Sequence, residues 1–187
     1  ADLAVWAGAR HGAGYVLVNP LHAAAPTKPM EPSPYLPTSR RFTNPLYLRV
    51  EAIPEFGYLP KRGRVWKLRA ELQSRTHRVD KVDRDAAWAA KRAALKLVYR
   101  VPRPAGRQLA FDAFKSREGT ALDDFATWCA VAEKHGGNWR TWPAGLQHPA
   151  SPDVAEFVTR HESAVDFHRW LQWQLDDQLA GWTDDRF

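Results

Sequence analysis

Cysteine is almost missing from this 187-residue chain: Cys129 stands alone, so no intramolecular disulfide can form. Long apolar runs are missing too. None approaches the roughly 18 residues that span a bilayer, and the opening Ala1-Asp2 has no basic n-region of a secretory signal. A reducing cytoplasm and no membrane are the resulting expectations. Charge comes in no blocks, although 26% of residues are charged, which argues against global disorder. There is no glycine-rich phosphate loop, because Gly12-Ala13-Gly14 precedes an expected strand rather than a helix. There is no Gly-x-Ser-x-Gly elbow for a serine hydrolase. Of seven histidines only His161 and His168 share an expected helix, and at i and i+7 they lie about 10 Å apart along its axis, too far to share one ion. No metal or organic cofactor is expected.

What the chain does have is bulk and aromaticity. Hydrophobic residues make up 44%, enough for a core, and the length suits one domain or two small ones. Nine Trp, eight Phe and five Tyr are many for this length. Seven of the fourteen prolines fall between Pro20 and Pro45. The net charge is +6 with a pI near 9.7. A basic chain can attract nucleic acid or anionic lipid, but the positive residues are scattered. The densest run is Lys61-Arg62-Gly63-Arg64, then Lys67, Arg69, Arg75 and Arg78. A solvated face is the preferred reading of that run over a nucleic-acid site.

Periodicity predicts a helix over Leu3–Arg10, stopped by Gly12 and Gly14, then a strand at Tyr15–Val18. That strand is apolar on both faces, which suits a buried place in a parallel sheet or barrel. Asn19 to Asn44 holds Pro26, Pro29, Pro32, Pro34 and Pro37, each of which fixes φ and removes a donor, so an ordered loop is expected, with Tyr35, Leu36, Phe42, Leu46 and Tyr47 as apolar anchors. Leu46–Val50 reads as a short strand or extended segment, and Val65, Trp66, Leu68 and Leu72 as helical contacts. Asp85 is expected to cap a helix over Ala86–Val101, stopped by Pro102 and Pro104. Helices over Leu109–Lys115 and Leu122–His135 follow, the second capped by Thr120 or Asp123 and ended by Gly136-Gly137. After a Trp- and Pro-containing loop, Ser151 and Pro152 open one long helix to about Ala180, striped by Val154, Phe157, Val158, His161, Val165, His168, Leu171 and Leu175. One buried parallel strand cannot satisfy its own ladder, so the chain reads as incomplete.

Few residues invite a catalytic reading. Two carboxyl groups about 5 Å apart can break and remake a glycosidic bond with retention. The candidates Asp123-Asp124, Asp176-Asp177 and Asp184-Asp185 are sequence neighbours, which point about 100° apart on a helix, so they read as caps or surface. Cys129, in an apolar helical stretch, reads as a core residue rather than a nucleophile. The proline-rich loop mixes Ser33, Tyr35, Ser39, Arg40 and Asn44. Aromatic faces with polar groups around them suit a sugar ring. A loop merely stiffened by Pro and Tyr has the same composition, and composition alone leaves both readings open.

Three stretches resemble one family, glycoside hydrolase family 77, the amylomaltases or 4-α-glucanotransferases. Gly14-Tyr-Val-Leu-Val-Asn-Pro-Leu-His22 looks like the family's second barrel strand. Ser33-Pro34-Tyr35 followed by Asn44-Pro45-Leu46 is similar to its Ser-Pro-Tyr … Asn-Pro signature and is the most specific of the three. Phe125-x-x-Trp128-Cys129-Ala130-x-Ala132-Glu133, Trp139-x-x-Trp142-Pro143 and Phe167-His168-x-Trp170-Leu171-Gln172-Trp173 look like the helical stretch before the third strand. The wording around Asn19–His22 and Arg40–Pro45 resembles actinobacterial members. Two stretches depart from the pattern: Ala23–Glu31 replaces a Gly-rich segment, and the tail Trp182–Phe187 has no family wording.

The resemblance implies an α/β fold: a partial (β/α)₈ TIM barrel with an inserted, mainly helical subdomain, the chain itself mostly α. Residues 1–52 would carry barrel helix, strand and substrate loop, 53–150 the insertion, and 151–187 a long helix returning to the barrel. It implies a retaining transferase that passes α-1,4-glucan segments between maltodextrins, without cofactor or metal. Tyr35 would pack on the sugar beside the scissile bond with Ser33 near it, and Asn44 would hold the loop or the glucan. The family's catalytic carboxylates lie on later strands, so none is expected before residue 187, and the isolated chain is expected to be inactive. The rival reading is a small basic helical module that binds nucleic acid or a protein partner.

Overall fold

The computed structural model describes residues 2–76 and 82–180. His77, Arg78 and the tail Trp182–Phe187, with its Asp184-Asp185 pair, lie outside the described residues. Six helices dominate: α1 (Asp2–His11), α2 (Arg62–Thr76), α3 (Arg84–Tyr99), α4 (Ala105–His135), α5 (Pro152–Arg160) and α6 (Glu162–Ala180). Between α1 and α2 lie two short strands, β1 (His22–Ala23) and β2 (Ser39–Thr43), which pair antiparallel with His22 opposite Thr43 and Ala23 opposite Ser39. No helix among the described residues is long and apolar enough to cross a membrane.

Tyr15–Val18 is not a strand. It pairs with nothing among the described residues, and Tyr15 and Leu17 are 86% and 88% exposed. The expectation of burial on both faces is overturned for a physical reason: a parallel strand needs neighbours to take up its amides and carbonyls, and the described residues offer none. Leu46–Val50 departs from expectation as well. Pro45–Tyr47 and Val50–Ala52 are single 3₁₀ turns. Pro45 lacks a donor and fixes φ, while the Asn44 side chain accepts from the amide of Leu46 at 3.0 Å and starts the turn.

The two helices expected after Pro104 are one, α4, kinked at Gly119 with φ 59° and ψ −147°, a region open essentially to glycine alone. Asp123 does not act as the cap there; its carboxylate accepts from Arg169 Nε at 2.7 Å. Conversely, the long helix expected from Asp153 to Ala180 is two. His161 leaves the helical region (φ −126°, ψ 28°) between α5 and α6, and the bend lets Phe157 and Val165 enter the same core cluster. Ser151 and Pro152 start α5 as expected, and Gly136, at φ 90°, ends α4.

The main core gathers Phe42, Leu48 and Ile53 from the segment after β1, Leu95 and Val98 from α3, Phe111 and Leu122 from α4, and Trp170, Leu171 and Trp173 from α6. Each such side chain contributes roughly 1.5–3 kcal/mol by leaving water. The cluster therefore runs across all three spans distinguished in the sequence. A second cluster joins Ala126, Ala130, Val131 and Ala132 of α4 to Trp142, Phe157 and Val165. The most extensive helix pairing is α4 on α6, and Phe111 stacks on Trp173 there at 5.1 Å.

Candidate functional site

The proline-rich loop is held at its base by main-chain bonds: Thr38 N donates to Ala23 O and Asn44 N to Leu21 O, both at 2.8 Å. Two glutamines on α6 complete the frame. Gln172 accepts from Thr43 N at 3.1 Å and donates to Thr43 O at 2.9 Å. Gln178 does the same for Arg49, at 3.0 and 2.9 Å. Each side-chain amide thus stands in for a neighbouring strand. Phe42 of β2 is buried and stacks on Phe125 at 4.4 Å. Near the loop's middle, Met30 is buried and its amide donates to Asp85 Oδ1 at 2.8 Å. Asp85 therefore ties the loop to α3 rather than capping it; the cap is Asp83, which accepts from Ala86 N at 2.8 Å.

The loop is ordered, but its anchors differ from those expected. Phe42 is buried and Leu46 partly so, whereas Tyr35 and Leu36 are each 65% exposed and Tyr47 is half-exposed. Tyr35 is exposed yet fixed. Its amide donates to Ser33 Oγ at 3.2 Å, and its phenol donates to Asn19 Oδ1 at 3.1 Å. Ser33 N in turn donates to Glu31 Oε1 at 2.9 Å. Bonded at backbone and phenol, the ring keeps an orientation while its carbon surface faces water. Asn44 is buried, its side chain spent on the Leu46 amide.

A cavity of about 350 Å³ lies against the loop. Ser33, Asn44, Asn19, His22, Glu31 and Arg84 contribute to its wall. Tyr35 stands outside it but reaches it through Asn19. Amide, hydroxyl, imidazole, carboxylate and guanidinium groups converge there, a set that suits an uncharged polyhydroxyl ligand. Asn19, His22, Glu31 and Arg84 were not picked out from the sequence as site residues. Asn19 and His22 sat inside the quoted motif, whereas Arg84 lies about forty residues past the end of the loop and only the fold brings it in. Below the turn at Asn44, the Lys91 ammonium donates to the Leu46 carbonyl. Burial lowers its pKa, and the charge of Glu51 only partly opposes this.

The other candidates are structural. Arg107 reaches Glu55 at 2.9 Å and Asp177 at 2.8 Å, and Arg117 reaches Asp176 at 2.8 Å. With Asp123 bound to Arg169, three of the four described members of the acidic pairs are spent on arginines. Cys129 is buried in α4, and burial, with the charge of Glu133 adding to it, pushes its thiol well above the usual range, so it offers no thiolate. His168 is buried with Nε2 3.6 Å from Glu133 Oε1, and His161 Nε2 sits 3.0 Å from Lys134 Nζ. No group of three metal-ligating side chains occurs among the described residues. In the basic run, Arg62 donates to Gly57 O, Arg69 pairs with Glu51, and Lys67 with Glu71. These local partners fit a solvated face.

A profile of the 4-alpha-glucanotransferase family matches residues 1–185. The 4-alpha-glucanotransferase of Mycobacterium tuberculosis (strain H37Rv) is 67% identical over 186 residues, covering 96% of this chain and 26% of that protein. The Haemophilus influenzae 4-alpha-glucanotransferase is 29% identical, covering 92% of the chain and 27% of its own length. The crystal structure of amylomaltase from Corynebacterium glutamicum superposes with a TM-score of 0.73 at 40% identity, over 96% of this chain and 24% of that one. The chain thus spans about a quarter of the length of the curated relatives it matches.

Proposed function

Because the chain belongs to the 4-alpha-glucanotransferase family, we propose that it is the part of such an enzyme that presents a glucan-binding loop, in a protein that transfers α-1,4-glucan segments between maltodextrins with retention. Tyr35 lays its ring against a glucose unit beside the scissile bond. Ser33 sets the turn that aims it and lines the adjoining cavity. Asn44 holds the base of the loop. The observation that carries this is a ring 65% exposed yet bonded at both amide and phenol. A solvent-facing aromatic with a fixed pose stacks on a sugar without first losing rotamer freedom.

The acid groups that break the bond lie elsewhere in the polypeptide, in keeping with the engagement of Asp123, Asp176 and Asp177 by arginines. In this reading the run Tyr15–Val18, unpaired among the described residues, takes up strand pairing in a (β/α)₈ barrel only when the rest of the polypeptide supplies its neighbours. Its apolar surface is what such a strand buries. Residues 53–150 are the helical insertion, and 151–187 lead back to the barrel. The protein works in the cytoplasm without cofactor or metal, on α-1,4-glucans rather than on nucleic acid or membranes. The test is transfer from maltotriose by the full-length enzyme. Tyr35→Ala is expected to lower kcat/KM by about 100-fold, the scale of a few kcal/mol of differential binding, and Tyr35→Phe by less. Near-normal rates for Tyr35→Ala would refute the assignment. The isolated 187-residue chain is expected to make no longer maltodextrins from maltotriose.

A further inference from the structure

Away from the loop, a cavity of about 350 Å³ opens between α3, the end of α4 and the break between α5 and α6. None of its lining residues belongs to the proline-rich segment. Its wall is strongly of one sign: Arg92, Lys96, Arg100 and Arg160 carry fixed positive charge, and Glu133 is the single carboxylate among them. Arg92, Lys96 and Arg100 recur at every fourth position, which sets them in a row along one face of α3 and its C-cap. Like charges at that spacing repel. Part of the charge is answered. Arg92 Nε donates to Glu133 Oε1 at 2.6 Å and its Nη2 to the other carboxylate oxygen, and Arg160 donates to Glu156 one turn back on α5. Lys96 and Arg100 are not answered. Neither forms an ion pair among the described residues, and the Lys96 ammonium rests over the Phe167 ring at 5.6 Å. Of the carboxylates nearby, Asp166 accepts from the Tyr99 hydroxyl at 2.8 Å, and neither it nor Glu162 lines the cavity. Burial lowers the Lys96 pKa, the charges of Arg92 and Arg100 lower it further, and Glu133 alone opposes them. The carbonyl end of α3 favours cations but does not neutralise two of them.

We propose that this cavity is an anion site that takes the phosphate group of a small molecule, either free phosphate or a small phosphate ester. A phosphate monoester carries about −1.5 to −2 charge at neutral pH, which matches the two spare cations. Its oxygens suit a guanidinium fork and an ammonium lining one cavity, and the Ser163 hydroxyl of α6, also in the wall, offers a further donor. The volume falls in the range of roughly 300–1,000 Å³ common to small-ligand sites. Two spare charges in one cavity make no extended basic track, so a polyanion is not the occupant. The inference is independent of the glucan reading above.

The experiment is calorimetric titration of inorganic phosphate and of glycerol 3-phosphate, in low-salt buffer free of phosphate and sulfate, into the full-length protein and its Lys96→Met, Arg100→Gln and Arg64→Gln variants. Lys96 and Arg100 lie outside both core clusters, and Met and Gln keep most of the apolar stem, so the variants keep the fold; should one not, the other reads the same loss. Arg64→Gln removes an equal charge from the basic run outside the cavity. The expected result is binding by the wild type and by Arg64→Gln alike, weakened about tenfold in Lys96→Met and in Arg100→Gln. Tighter binding of glycerol 3-phosphate than of phosphate assigns an ester as the ligand; equal or weaker binding assigns free phosphate. No binding of either probe by the wild type at millimolar concentration, wild-type affinity in both cavity variants, or an equal loss in Arg64→Gln would overturn the site.

Discussion

Tyr35 and Asn44 lie in the same loop in opposite settings: one faces water, the other is buried. Their substitutions should separate cleanly. Asn44→Ala removes the acceptor for the Leu46 amide and should cost about 1 kcal/mol in chemical denaturation; Tyr35→Ala should leave denaturation unchanged and affect sugar alone. Glu133 offers a different test. Burial would raise its carboxyl, but His168 and the two Arg92 hydrogen bonds outweigh that and hold it near 2, below its ordinary 4.5. A depressed folded-state pKa gives stability that is complete above the unfolded value and disappears as pH falls through the folded one. Between pH 5 and 2 the wild type should therefore lose on the order of 2–3 kcal/mol more than Glu133→Gln, read by urea unfolding at each pH. Parallel curves would show that Glu133 is not held down.

The elements carry their own predictions. Gly119→Ala forces a side chain into a torsion at φ 59°, ψ −147° and should cost about 1–3 kcal/mol. Gln172→Leu strips both partners from Thr43 and should cost about 2–3 kcal/mol while weakening sugar binding, because it loosens the base of the loop. Unchanged melting in either variant would count against these roles. The same elements show what sequence can and cannot reveal. Ser151 with Pro152, and Gly136 after α4, were legible because caps and stops are local chemistry. The kink at Gly119 was not, since helical periodicity on both sides reads as two helices. Neither was the break at His161, where no glycine or proline marks the chain. The β1–β2 pair was missed because a two-residue strand has no period, and the Gln172 clamp because its partner lies 129 positions away. Ser33, Tyr35 and Asn44 were singled out through the resemblance alone; that Asn19, His22, Glu31 and Arg84 line a cavity with Ser33 and Asn44 needed the fold.

For the whole molecule, the exposed run Tyr15–Val18 is the feature least at ease in water. An unpaired apolar segment of this kind promotes association. The isolated chain should self-associate with rising concentration in sedimentation experiments, and Leu17→Lys should reduce this; a monomer at every concentration would argue that the run is harmless as it stands. Despite its net charge of +6, the chain should elute from heparin at low salt, since its positive residues are scattered and Lys67 and Arg69 of the basic run are paired with Glu71 and Glu51. The most direct test of the central claim is a ¹⁵N-resolved NMR titration of the chain with maltotriose. The account predicts that the amide shifts gather at Asn19, Ser33, Tyr35 and Thr38. A titration that leaves those amides still while others move, or that moves none, would contradict it.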